Sequence, residues 1–155
     1  MATLVGTQGH LADALDALLE LDYDAIEAYR AAIERVDDPS DKAQLQAFLE
    51  DHRRHVRELT PIVAGMGKRA AIGPDIKQWL TKGKVVILGL AGVDAVFLAM
   101  RTNEDDTNTA YERIASRDDV PADVRAVVAR SLEDERRHRA WIEARLAKQH
   151  TAHAR

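Results

Sequence analysis

Side chains able to bind metal stand three residues apart in two places: two histidines, His52 and His55, in "LEDHRRH" (49–55), and a carboxylate and a histidine, Glu135 and His138, in "LEDERRH" (132–138). The two phrases differ at one position in seven, although 83 residues separate them. At i, i+3 on a helix, two such side chains share a face about one turn apart, so both can reach one metal ion, or one can bridge two. Pairs at i, i+4, Glu50 with Arg54 and Glu133 with Arg137, are expected to steady an exposed helix by roughly 0.2–0.5 kcal/mol each. They account for the repeated Glu and the second Arg, and leave the histidines unexplained.

Two further carboxylates belong to the same pattern. Asp22 lies seven residues before Tyr29 and Glu104 seven before Tyr111, and the two tyrosines are 82 residues apart. Apolar stripes of helical period run through all four regions: Leu15, Leu18, Asp22, Ala25, Tyr29; Leu45, Phe48, His52, His55, Leu59; Val96, Met100, Glu104, Thr107, Tyr111; and Val128, Ser131, Glu135, His138, Ile142. Six ionisable side chains, Asp22, His52, His55, Glu104, Glu135 and His138, thus face a core where an unpaired charge costs several kcal/mol. Partners or a metal are required. Counted from the turns near Asp38 and Asp119 at about 1.5 Å per residue, all six sit at one height, so the two groups can face each other across the core.

The elements that position them are four helices, expected over about 7–36, 41–64, 85–116 and 121–148. The second is expected to be capped by Ser40 or Asp41 and the fourth to begin at Pro121. A connection of about 65–84, with a possible short helix at "DIKQWL", joins the two pairs, and the tail "QHTAHAR" is expected to fray. The fold class is all-α: two antiparallel helix pairs, one long crossover, a pseudo-two-fold relation between the hairpins, and a single domain over 1–155.

Composition agrees. Aromatic content of 5% and four prolines favour helices. Acidic and basic residues are interspersed at a net charge of −4, so no face invites nucleic acid. The absence of cysteine removes thiolate sites and iron–sulfur clusters. The apolar run Val85–Met100 is short for a membrane span of roughly 20 residues and contains Asp94; it reads as a buried bundle segment. No export signal is read at the N-terminus, and a cytoplasmic location is expected.

Other polar residues are expected to be structural. His10, His150 and His153 lie near the ends and should be solvated. Glu27, Glu50, Asp51, Glu112 and Asp134 fall off the stripes and are expected at the surface, with Glu27 or Asp51 able to substitute if the helix phase is shifted. Tyr29 and Tyr111 are expected as packed rings whose hydroxyls find a buried acceptor, such as the opposite carboxylate. Asp94 caps or bonds a neighbour.

This layout resembles the ferritin-like superfamily of di-metal carboxylate bundles, close to the rubrerythrin type in motif arrangement, from Leu11 to about Leu146. In that family each helix pair gives one carboxylate and one Glu-x-x-His, with an aromatic two turns beyond the lone carboxylate. The resemblance implies that Glu135 and His138, Glu104, Asp22 and His55 are metal ligands. His52 stands where the family has a bridging Glu, which lowers the ligand charge from −4 to −3. With no cysteine there is no rubredoxin-like module. Two iron ions are implied, with manganese or zinc compatible with the same donors, together with Fe(II) oxidation or dioxygen- or peroxide-linked chemistry. The rivals are an iron-storage subunit of a homo-oligomer and a metal-free interaction bundle; a homodimer is compatible with the first reading.

Overall fold

The structure is a computed structural model that describes residues 3–68, 87 and 89–153. Four helices and no strand occur among them: α1 (Leu11–Arg35), α2 (Pro39–Gly65), α3 (Val93–Ala115) and α4 (Ala122–His153). Every residue of the four apolar stripes is 1% exposed or less. Helical periodicity therefore places these residues in the core, the polar ones included, while Leu19, Phe97 and Ile114, outside the stripes, are buried as well.

Helix ends depart from expectation where backbone chemistry outweighs periodicity. α1 starts at Leu11 rather than Thr7, because Gly6 adopts φ +87° and His10 is extended. The residues before it strap along α3. Thr3 N donates to Asp106 Oδ1 (3.1 Å), the Arg113 guanidinium donates to the carbonyls of Thr3 and Val5, and Arg117 donates to those of Gln8 and Gly9. A Cβ at Gly6 would lie 2.8 Å from Arg113 Cβ.

The cap of α2 is Asp38, not Ser40 or Asp41. Its Oδ1 accepts from the backbone N–H of both residues at 2.9 Å. Pro39 explains the shift, since a residue without an N–H and with fixed φ suits the first helical position. α3 starts at Val93 rather than Val85, because Gly92 takes φ +86° at the N-cap; Leu90 N instead closes a turn onto Ile87 O. α4 begins one residue after Pro121 and continues to His153, beyond the expected end at Lys148, with no glycine or proline in that stretch to stop it. Between α3 and α4, Arg125 donates to the carbonyls of Ala115, Arg117 and Val120, satisfying groups at the end of α3.

α1 packs on α2 and α3, and α4 packs on α3 and α2. Tyr29 bonds Glu104 while Tyr111 bonds Asp22, so the contacts run in opposite order along α1 and α3 and the helices are antiparallel. The same holds for α2 and α4, where Asp51 meets His138 and His55 meets Asp134. α2 and α3 are then parallel, and Gly65 and Val93 lie at opposite ends of the bundle. The crossover expected between them and the short helix at 75–80 fall outside the described residues.

The apolar core is split in two. Phe48, Phe97, Met100, Ile142 and Leu146 fill one end, and Leu15, Leu18, Leu59, Ile114, Val124 and Val128 the other. The polar level lies between them. No helix among the described residues is long and apolar enough to cross a membrane.

Candidate metal centre

The six ionisable residues picked out by the stripes all meet at this polar level, each 1% exposed or less. They form two groups whose donor atoms lie within 4.8 Å of one another: Asp22, His52, His55 and Glu135 in one, His52, Glu104, Glu135 and His138 in the other. Each hairpin contributes to both groups. His52 and Glu135, the residues at the single differing position of the repeated phrase, are shared.

In the first group, His52 Nδ1 and His55 Nδ1 stand 2.9 and 3.3 Å from Asp22 Oδ1, and 3.5 and 3.3 Å from Glu135 Oε1. A cation with bonds of about 2.0–2.2 Å and angles of about 90–110° places its ligand atoms about 2.8–3.6 Å apart. The donor atoms of this group already have that spacing. The second group is wider: His52 Nε2 lies 3.8 Å from Glu104 Oε1, and His138 Nδ1 lies 3.7 Å from Glu104 Oε2.

The orientation of each histidine is fixed from its far side. His138 Nε2 is 3.0 Å from Asp51 Oδ2, and His55 Nε2 is 3.2 Å from Asp134 Oδ2. An ionised carboxylate only accepts, so Nε2 carries the proton and Nδ1 is the atom turned towards the centre. Arg54 and Arg137 close the arrangement. Arg54 pairs with Asp51 (3.0 Å) and with Asp134, and Arg137 pairs with Asp51 (2.6 Å) and Asp134 (2.8 Å).

Asp51 and Asp134 were expected at the surface; they are instead held inward by these contacts. A stripe sorts residues by direction from their own helix, and the partners of both aspartates lie on the opposite helix. The repeat carried the missing signal, since Asp51, Arg54 and His55 recur as Asp134, Arg137 and His138. The i, i+4 pairs expected of Glu50 and Glu133 do not form; the two acids bond Arg53 (2.6 Å) and Arg136 (3.4 Å) at i, i+3, because the second arginine of each phrase is engaged across the bundle. Asn108 was also missed, and its Nδ2 ties the backbone of Glu104 to that of Glu135.

Tyrosine hydroxyls donate to the two lone carboxylates as expected, Tyr29 to Glu104 Oε1 at 2.5 Å and Tyr111 to Asp22 Oδ2 at 2.6 Å. Burial, followed by the neighbouring carboxylates, raises both phenols well above their usual range, so they remain protonated donors. His10 is exposed as expected, whereas the side chains of His150 and His153 are outside the described residues. Glu27 and Glu112 pair with Arg30 and Arg136. Exposed Asp94 lies in the first turn of α3, where an acid suits the helix dipole.

Charge is unevenly distributed. Burial opposes ionisation of His52 and His55, but the surrounding carboxylates outweigh it and lift them to about 10 and about 12. Burial likewise disfavours charge on Asp22, yet hydrogen bonds from the two histidines pull it down to about 2. His138 is lowered, chiefly by burial, and is neutral. His52 Nε2, His138 Nδ1, Glu104 Oε2 and both Glu135 carboxylate oxygens have no hydrogen-bond partner. Native interiors rarely leave one buried polar atom in that state, and here several converge on one point.

Fold and site together define a four-helix bundle of the ferritin-like type with a buried imidazole–carboxylate cluster at mid-height. A family described as "Domain of unknown function (DUF2383)" matches residues 10–117, and the chain belongs to that family. The match spans α1 to α3 and four of the six residues, and stops before Glu135 and His138. No curated protein and no solved structure matches the chain.

Proposed function

We propose that this chain binds a pair of transition-metal cations, iron first among them, through Asp22, His52, His55, Glu104, Glu135 and His138, and that it oxidises Fe(II) or carries out redox chemistry linked to dioxygen or peroxide. The observation that carries this reading is the set of buried donor atoms without partners, beside a second set already at ligand spacing. Iron bound there would supply electrons one at a time to dioxygen or peroxide. Manganese and zinc suit the same donors.

The chain's own residues supply the rest. Asp51 and Asp134 hold a proton on the outer nitrogen of His138 and His55, which keeps the inner nitrogens directed at the centre. Tyr29 occupies Glu104 Oε1 and leaves Oε2 for a cation, while Tyr111 holds Asp22 Oδ2 and turns Oδ1 towards His52 and His55. The apolar clusters on either side exclude bulk water, which strengthens every charge interaction at the centre.

A metal-free bundle has one observation in its favour, the pairing of His52 and His55 with Asp22. It gives no partner to the other group. Elemental analysis of purified protein decides between the readings: metal is expected in the native chain, at reduced content in His138→Ala and Glu135→Ala, and unchanged in His10→Ala. Equal metal content in all three variants, or none in the native chain, overturns the proposal.

A further inference from the structure

The two groups of donors differ in what they need, and the difference points to an order of binding. Asp22 is fully engaged: Oδ1 faces the Nδ1 atoms of His52 and His55, and Oδ2 accepts from Tyr111. That half is closed by its own contacts. The atoms of the cluster without a hydrogen-bond partner, His52 Nε2, Glu104 Oε2, His138 Nδ1 and the two Glu135 oxygens, all come from the four residues of the other group, of which His52 and Glu135 are shared with the first.

His52 connects them. Its Nδ1 lies 2.9 Å from Asp22 Oδ1, while Nε2 is turned 3.8 Å from Glu104 Oε1. Asp22 therefore stands to His52 as Asp51 stands to His138: an ionised acceptor that keeps the proton on one ring nitrogen and presents the other. Two imidazoles and two carboxylates then converge, each imidazole fixed from behind, with no existing hydrogen bond to break.

Resting on the metal-binding reading above, we propose that the site fills in order. The first divalent cation is held by His52 Nε2, His138 Nδ1, Glu104 and Glu135, with Asp22 and Asp51 as positioning residues. Any proton on His52 Nε2 leaves to solvent as that bond forms, while the Nδ1 proton stays on His52 and is donated to Asp22 Oδ1. A second cation must take the place of the hydrogen bond between His55 and Asp22 and approach the charge already bound. It therefore binds about tenfold more weakly, or more weakly still.

The test is anaerobic titration of chelator-treated full-length protein with cobalt(II) sulfate, followed by calorimetry and visible absorption. The expected isotherm has one tight equivalent followed by a weaker one. His55→Gln should leave the first equivalent and its absorption spectrum unchanged and remove the second. His138→Gln should remove the first, and Asp22→Asn should weaken it by about 10- to 100-fold with one-to-one stoichiometry retained. Two equivalents of equal affinity in the native chain, a comparison that needs no variant, overturn the order. So does a first equivalent weakened equally by His55→Gln and His138→Gln. Absence of any cobalt binding overturns the order and the metal-binding reading together, whereas binding without order overturns only the former.

Discussion

A histidine that ligates through one ring nitrogen gains precision when the other is held, and Asp51 and Asp134 provide that hold across the bundle. Loss of such a partner typically lowers metal affinity 10- to 100-fold. Asp51→Asn should therefore weaken the first cation by about that factor, measured by competition with a chromophoric chelator, whereas Asp134→Asn should leave it within about twofold, because His55 belongs to the other half. Tyr29 permits a different test. Tyr29→Phe removes the donor to Glu104 Oε1, and a buried carboxylate oxygen left unpaired costs about 1–3 kcal/mol. Urea unfolding in excess chelator should show that loss, and added cation should recover much of it; an equal loss in both conditions would assign Tyr29 a packing role alone. The six central residues were legible because ionisable side chains interrupted stripes that are otherwise apolar. Asp51 and Asp134 were not, because their importance depends on which helix lies opposite, and periodicity within one helix contains no information about its neighbour.

Helix interiors and helix ends obey different physics. Interiors follow from burial, and every residue of the four stripes lies inside, although the stripes leave out others such as Leu19 and Phe97. Ends are set by single residues: Asp38 and Pro39 begin α2, and Gly92 begins α3 eight residues later than the apolar run suggests, because valine and phenylalanine report hydrophobicity without reporting φ. The strap before α1 was equally hidden, since it makes these contacts through its backbone N–H and carbonyl groups and its direction depends on Gly6. Gly6→Ala places a Cβ against Arg113 and forces an unfavourable φ, so a loss of about 1–3 kcal/mol is expected. Gly9→Ala, with ordinary φ and open space around it, is the control and should be neutral. Thermal melts of the two variants, with far-UV dichroism to confirm unchanged helix content, make the comparison.

At the scale of the whole molecule, the proposed cation binding would be linked to folding, because the donors converge only in the assembled bundle. A ligand at 100 times its dissociation constant stabilises by about 2.7 kcal/mol, which for a chain of this size raises the melting temperature by roughly 5–10 °C. Chelator should therefore lower the melting temperature by a similar amount, and a cation-free protein that melts at or above the loaded one would favour the metal-free reading. The contacts around the centre have a further property. Tyr29 serves Glu104 and Tyr111 serves Asp22, while Asp51 serves His138 and Asp134 serves His55, so each hairpin supplies the groups that orient the other's donors. Neither hairpin holds a finished half-site. Produced as separate polypeptides, residues 1–68 and 87–155 should each fail to retain cobalt through gel filtration, whereas an equimolar mixture should retain it and co-elute as a heterodimer. The reciprocal wiring makes recognition between the two hairpins and construction of the centre one event, so complementation between fragments becomes a direct assay for the centre itself.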